Sequence, residues 1–323
     1  VRFIERDRMS KLLKSVSLVL LWAASLQATA QTRDPCTRPG ENNAWLGIET
    51  IQLWPGDAPQ AKGHACEDIP TLTILSPGYS VEKKDQAGPA VVVLPGGSYR
   101  TLVANHEGRQ VADWFTARGF TAFILQYRLS SNGYLLPVPL LDARRAIQVV
   151  RSGASVYHID PNRIVMVGFS AGGHLAALAS VQPVAANPTA TDPVERVSSR
   201  PDYLVLGYPW IGAISSDTSH LSYCKLYDLM NRCEELRKAY SPDLFVTRQT
   251  PPTFWWHTFD DQTVPIEQGL RFYEALIKAG VPSEAHVLAH GTHGRGLGSG
   301  DLSLEQWPGL LEVWLRKQGV INP

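Results

Sequence analysis

Apolar residues recur along the chain in short dense runs: GIETIQLW, TLTILS, AVVVLP, TAFILQY, RIVMVGF, DYLVLGYPW, TFWWHTF and EAHVLAH. β-Branched and aromatic side chains dominate them, the types that fit a pleated surface. The later runs are near-continuous rather than alternating, as in strands buried on both faces of a parallel sheet. Between the runs the period changes. Leu140, Ala143, Ile147 and Val150 return at helical spacing in PVPLLDARRAIQVVRSGA, and Leu270, Tyr273 and Ile277 do so in PIEQGLRFYEALIKAG. Each helical segment ends near a glycine, an ordinary stop signal. Strand alternating with helix predicts βαβ units and an α/β fold with a doubly wound, mostly parallel sheet. In such sheets chemistry collects at the carboxyl ends of the strands. The rhythm breaks over residues 212–250, where polarity is mixed and two cysteines fall, so this stretch is expected to be an insertion or small cap over that edge. With no repeat and no Pro/Gly/Ser-rich linker, residues 31–323 are read as one domain.

The N-terminal stretch follows another logic. MSKLLKSVSLVLLWAASLQATAQ carries Lys11 and Lys14, an apolar run and Ala28-Thr29-Ala30, the pattern of a secretory signal peptide cleaved after Ala30. The apolar run falls short of the roughly 20 residues that span a bilayer. A secreted or periplasmic mature form, outside the membrane, is therefore expected. Export places Cys36, Cys66, Cys224 and Cys233 where disulfides persist, and sequence neighbourhood favours Cys36 with Cys66 and Cys224 with Cys233. Lysine plus arginine balances aspartate plus glutamate at 30 each, which leaves no broad basic field for nucleic acid or anionic lipid. A small neutral or weakly polar substrate suits this chain better, and oligomeric state is not readable from it.

The candidate chemistry begins at Gly168-Phe169-Ser170-Ala171-Gly172, which follows the run RIVMVGF and precedes the helical HLAALAS. A G-x-S-x-G sequence between strand and helix is the context of a nucleophile elbow, a tight turn that exposes the serine. A serine hydroxyl needs a base to take its proton. His174 is close in sequence but lies one turn into the helix, whereas Ser170 sits on the bend and points away from the helix toward the strand-end crevice, so His174 is read as a packed imidazole bracing the elbow. Hydrolases of this architecture carry acid and histidine on loops after later strands. TFWWHTFDDQTVP supplies Asp260 and Asp261; Asp261, just before the turn into the next helix, is preferred, with Asp260 as its rival. EAHVLAHGTHGRG supplies His290 and His293; His293 reaches furthest into the loop, His290 is the rival base and His286 falls within the strand. Neither histidine has the ligand set of a metal site, so no metal and no cofactor is expected. PGGSY ends an early strand with Pro95-Gly96-Gly97-Ser98-Tyr99, where glycines bring backbone amides close to a ligand; the amides of Gly97, Ser98 and Ala171 are the candidate oxyanion donors. Tyr99, His106, Glu107, Tyr208 and Trp210 are candidate substrate contacts at the rim, and Trp255 and Trp256 are further aromatics able to stack on a sugar or aromatic acyl group.

Taken in order, LWPGDAP, LPGGSY, HEG, QYRL, LLDARRAI, GFSAGGHLA, PPTFWW, DDQTVP and HGTHGRGL resemble the bacterial α/β-hydrolase esterases grouped with acetylxylan esterases and feruloyl-esterase-like proteins of the BD-FAE type. The resemblance spans Ile51 to Leu315. It implies the α/β-hydrolase fold, Ser170 as nucleophile, Asp261 as acid, His293 as base, and release of acetyl or other small acyl groups from plant polysaccharides or oligosaccharides. Two departures stand out. Ser98 replaces a frequent third glycine, and HGTHG replaces the usual glycine-rich lead into the histidine, which keeps His290 in play. A peptidase or amidase using the same triad, and a catalytically silent binding protein on this fold, are the alternative readings.

Overall fold

A computed structural model describes residues 48–77, 87–212 and 237–321. Eight strands form one sheet: β1 (Ile48–Gln52), β2 (Thr71–Leu75), β3 (Gly88–Leu94), β4 (Thr121–Gln126), β5 (Ile159–Phe169), β6 (Tyr203–Gly207), β7 (Thr253–Thr258) and β8 (Ser283–Leu288). Each corresponds to one of the apolar runs. Their order is β1-β2-β4-β3-β5-β6-β7-β8, antiparallel where β2 meets β1 and β4 and parallel everywhere else.

Among the described residues the complete α-helices are α1 (Gln110–Thr116), α2 (Val138–Ser152), α3 (Ser170–Val181), α4 (Glu267–Ala279) and α5 (Trp307–Lys317). The two-residue period of the strands sorts their side chains into two cores. On one face Ala90, Val92, Met166, Leu204 and Trp255 pack with Leu140, Ala143, Ile147, Leu175, Phe272 and Leu276 of α2, α3 and α4. On the other, Val91, Val93, Val165, Val167, Phe254 and Trp256 pack with Val111 and Phe115 of α1 and with Trp307, Leu311 and Trp314 of α5. Each such large side chain removed from water stabilises the fold by about 1.5–3 kcal/mol. That double burial is why the central runs read as continuous apolar sequence.

For α4 the expected face is wrong. Leu270 and Ile277 are exposed, whereas Gln268, Gly269, Phe272 and Leu276 are buried. The cause is Gly269, where a Cβ would come within 2.3 Å of the Trp255 ring. The helix lies on the sheet along its glycine, and this turns Phe272 and Leu276 inward. α2 keeps the expected stripe, with Leu140, Ala143, Ile147 and Val150 all buried.

From β3 the chain moves to β4 on one side, whereas β5 continues to β6, β7 and β8 on the other. The reversal opens a crevice beyond the carboxyl ends of β3 and β5, the general ligand position in open α/β sheets. The expected signal peptide and most of the expected cap (213–236) lie outside the described residues, as do Cys36, Cys224 and Cys233 with their pairings. Cys66 opens a 3-10 turn, Cys66–Asp68.

Candidate active site

Ser170 stands at the first residue of α3, directly beyond β5, with φ +52°. This left-handed conformation costs a residue with a side chain on the order of 1–3 kcal/mol and survives only where its surroundings enforce it. Here they do. A Cβ on Gly168 would collide with the Gly172 carbonyl, and one on Gly172 would collide with the carbonyls of Leu94 and Pro95. The two glycines let α3 press against β5 and β3, and the intervening serine is forced out over the crevice.

His293 meets it there. Its Nε2 lies 2.8 Å from Ser170 Oγ, and its Nδ1 lies 2.7 Å from Asp261 Oδ2. With the Nδ1 proton donated to the carboxylate, Nε2 is left as acceptor for the serine hydroxyl. Asp261, buried at the end of β7, accepts further bonds at Oδ1 from the amides of Thr263 (2.8 Å) and Val264 (2.9 Å). Burial pushes its carboxyl up, but bonds from His257, His293 and the Val264 amide outweigh this and hold it well below the usual carboxylate range. The hydroxyl, imidazole and carboxylate form a continuous hydrogen-bonded line of the kind that generates a serine nucleophile.

The rivals form a separate pair. Asp260 accepts from the Gly291 amide at 2.9 Å and meets His290 Nδ1 at 3.1 Å, and the His290 side chain is 84 % exposed. His174 is buried. Its Nε2 donates to the Tyr240 carbonyl and its Nδ1 accepts from Tyr99 Oη, both at 2.7 Å. Burial drives the imidazole down to about 4, a shift only partly opposed by the Tyr240 bond. Both nitrogens being engaged, neither faces Ser170.

Beyond β3 the loop turns through Gly97 (φ +126°), Ser98 (φ +56°) and Tyr99 (φ +59°). Gly97 has no substitute in this turn, because a Cβ there would overlap the Thr101 backbone. Carbonyls supply the loop's internal bonds: Gly97 accepts from Arg100 and Thr101, and Gly96 from Val103. Among the described residues no acceptor takes the Gly97, Ser98 or Ala171 amide. Ala171 belongs to the first turn of α3, whose amides lack intrahelical partners.

Several candidate substrate contacts are walls instead. Tyr99 is buried on His174 and Tyr127. Tyr208 is buried, its hydroxyl donating to Glu107 Oε1 and accepting from the Gly296 amide, each at 2.8 Å. Glu107 is itself buried and accepts from the Gly96 amide at 2.7 Å. Trp255 and Trp256 are core residues, the latter stacked on Trp307 with centroids 4.9 Å apart. An inward-turned hydroxyl or carboxylate has no signature in sequence, which is why these residues read as rim. Trp210 is half-buried, its ring 4.8 Å from that of His174 and its amide donating to the Ser170 carbonyl. His106 is half-buried in the turn Asn105–Arg109.

One participant escaped sequence reasoning. His257, fully buried on β7, donates from Nε2 to the Val264 carbonyl (2.9 Å) and lies 3.3 Å from Asp261 Oδ2. Its only signal is its place four residues before Asp261.

Residues 79–200 match the BD-FAE family and residues 197–318 the prolyl oligopeptidase family. The acetyl ester-xyloside bifunctional hydrolase of Caldicellulosiruptor lactoaceticus shares the fold with a TM-score of 0.75 at 38 % identity, over 85 % of this chain and 97 % of that one. The chain belongs to the α/β-hydrolase esterases. Within them, it is 32 % identical over 220 residues to an acetylxylan esterase of Xylanibacter ruminicola, covering 67 % of this chain and 43 % of that protein. It is 33 % identical over 230 residues to the endo-1,4-beta-xylanase B of Butyrivibrio fibrisolvens, covering 67 % of this chain and 35 % of that protein. The chain thus spans less than half the length of these two curated relatives.

Proposed function

We propose that this protein is a secreted serine esterase that removes acetyl or other small acyl groups from plant polysaccharides or their oligosaccharides. The observation that carries the reading is the line Ser170–His293–Asp261, closed by hydrogen bonds of 2.8 and 2.7 Å beside three uncommitted amides. Ser170 Oγ attacks the ester carbonyl while His293 Nε2 takes the hydroxyl proton, and the carbonyl π pair moves onto oxygen. The Gly97, Ser98 and Ala171 amides hold that oxyanion, each worth about 2.7–4 kcal/mol in the transition state. Collapse breaks the bond to the sugar oxygen, which leaves with the proton from His293. Water then repeats the sequence on the acyl-serine, His293 accepting its proton and returning it to Ser170. Asp261 keeps the imidazole in the productive tautomer and stabilises its cation throughout.

Acylated xylan fragments are favoured as substrate by the names of the relatives, an acetylxylan esterase and an acetyl ester-xyloside hydrolase. The prolyl oligopeptidase match over residues 197–318 favours an amide-cleaving alternative on the same three residues. A panel of aryl esters of increasing acyl length, matched acyl amides, and acetylated and feruloylated xylan separates them. Release of acetate from xylan with short esters preferred over amides is expected; faster amide cleavage, or long-chain preference with no release from either glycan, contradicts the reading.

A further inference from the structure

Glu107 is a carboxylate buried beside the crevice, and no arginine, lysine or histidine pairs with it among the described residues. Burying such a group without a counter-ion is expensive unless its oxygens are satisfied. Both are, and the donors belong to opposite sides of the crevice. Oε2 accepts from the amide of Gly96, the residue before the loop amides at Gly97 and Ser98. Oε1 accepts the single proton of Tyr208 Oη, whose oxygen in turn accepts from the Gly296 amide, three residues after His293. A Cβ on Gly96 would lie 2.6 Å from Oε2, so the carboxylate sits directly against the backbone of the first loop. The Tyr208 ring packs edge-on against the His293 imidazole, centroids 4.8 Å apart.

Resting on the esterase reading above, we infer that Glu107 is a positioning residue that fixes the oxyanion loop and the His293 loop to one another. The line Gly96 N–H to Glu107, Glu107 to Tyr208 O–H, and Tyr208 Oη to Gly296 N–H sets the distance between the donors at Gly97 and Ser98 and the base at His293. Other bonds of the two loops lead elsewhere: within residues 96–103, from Ser130 and Tyr127 to the Tyr99 and Pro95 carbonyls and from Tyr99 to His174 on one side, and from Trp307 Nε1 to the Gly296 carbonyl on the other. A carboxylate is required because both partners donate. Glutamine would turn an N–H toward one of them.

The test uses the full-length protein with Glu107→Gln, Tyr208→Phe, the double variant and Ser170→Ala, read by kcat and KM on p-nitrophenyl acetate, inhibition by an alkylboronic acid, and thermal melting. Glu107→Gln is expected to lower kcat about 10–100-fold with KM changed less than about 3-fold, and to weaken the boronic acid, a mimic of the tetrahedral species, in proportion. Tyr208→Phe leaves the Gly96 bond in place and releases Gly296, so a smaller loss of kcat with the same signature is expected. The double variant is expected to lose no more than Glu107→Gln alone, as members of one line do. A fall in melting temperature with kcat and boronic acid affinity intact, or strictly additive losses, overturns the inference. If Glu107→Gln does not fold, Tyr208→Phe decides by the same two readouts. Loss of activity in Ser170→Ala alone separates failure here from failure of the esterase reading, which predicts that loss whatever Glu107 does.

Discussion

The two walls of the crevice are built differently. On the β3/β5 side, carbonyls and glycines are packed so closely that Gly96, Gly97, Gly168 and Gly172 admit no Cβ. Ser170 lies in a left-handed conformation between Gly168 and Gly172, neither of which has room for a Cβ. On the β7/β8 side the strand ends are open: Phe259 is 71 % exposed, His290 is on the surface, and β8 is half-exposed along its length. There Asp261 is held by hydrogen bonds from the backbone amides of Thr263 and Val264, with His257 3.3 Å away, and His293 is held by Asp261, rather than by crowding. Crowded backbone fixes Ser170, and the hydrogen-bonded Asp261 carboxylate fixes the His293 imidazole brought to it.

The sharpest way to break that contrast is to exchange the two adjacent aspartates of the open wall. Asp261→Asn is expected to lower kcat about 10⁴-fold by favouring the wrong imidazole tautomer, with little change in melting temperature. Asp260→Asn, which disturbs only the surface pair with His290, is expected to stay within a few-fold of wild type; equal losses in steady-state assays would erase the distinction between the two pairs.

A packing test follows. Gly172→Ala pushes a methyl group into the Leu94 and Pro95 carbonyls and is expected to cost about 1–3 kcal/mol in denaturant unfolding, with activity lost alongside. On the other wall Phe259→Ser should change stability by less than about 0.5 kcal/mol. Comparable costs at the two positions would mean the crowding at the elbow is not what holds it.

A pH-dependent test rests on His174. Its folded-state value of about 4 lies below the ordinary 6.5, so between these limits the unfolded chain binds more protons than the native one. Stability from this residue is therefore complete above pH 6.5 and lost as pH falls toward 4, by up to about 3 kcal/mol. In urea unfolding across that range, the stability gap between wild type and His174→Gln is expected to narrow with acidification. A constant gap would place the acid sensitivity elsewhere. Asp261, with its depressed carboxyl, adds stability that is present above the ordinary 3.8 and is lost only below it, so it does not blur this window.

The difference between the walls also decides what could be read in the chain. The β3/β5 side is local: a strand, five residues of G-x-S-x-G and a helix contain their own geometry, and the spacing alone separates Ser170 from His174. The central strands are legible for a similar reason, since double burial writes itself as apolar runs. The α4 face was not, because Gly269 against Trp255 is a contact between two elements and leaves no periodicity. On the β7/β8 side sequence order narrows the choice to two aspartates and two histidines, but the side chains' directions, and His257 behind them, emerge only when β7 and β8 lie side by side. Tyr99, Glu107 and Tyr208 were misread as rim for the same reason: a polar group turned inward onto a partner tens of residues away looks in sequence like one turned outward.

The most direct test of the central claim is capture of the acyl-enzyme. Rapid mixing with p-nitrophenyl acetate, an acid quench and peptide mass spectrometry are expected to find one acetyl group on the peptide bearing Ser170. His293→Ala should slow its formation by several orders of magnitude, and Ser170→Ala should abolish both the adduct and turnover. Turnover that persists in Ser170→Ala, or an acetyl group carried on any other residue, would contradict the account.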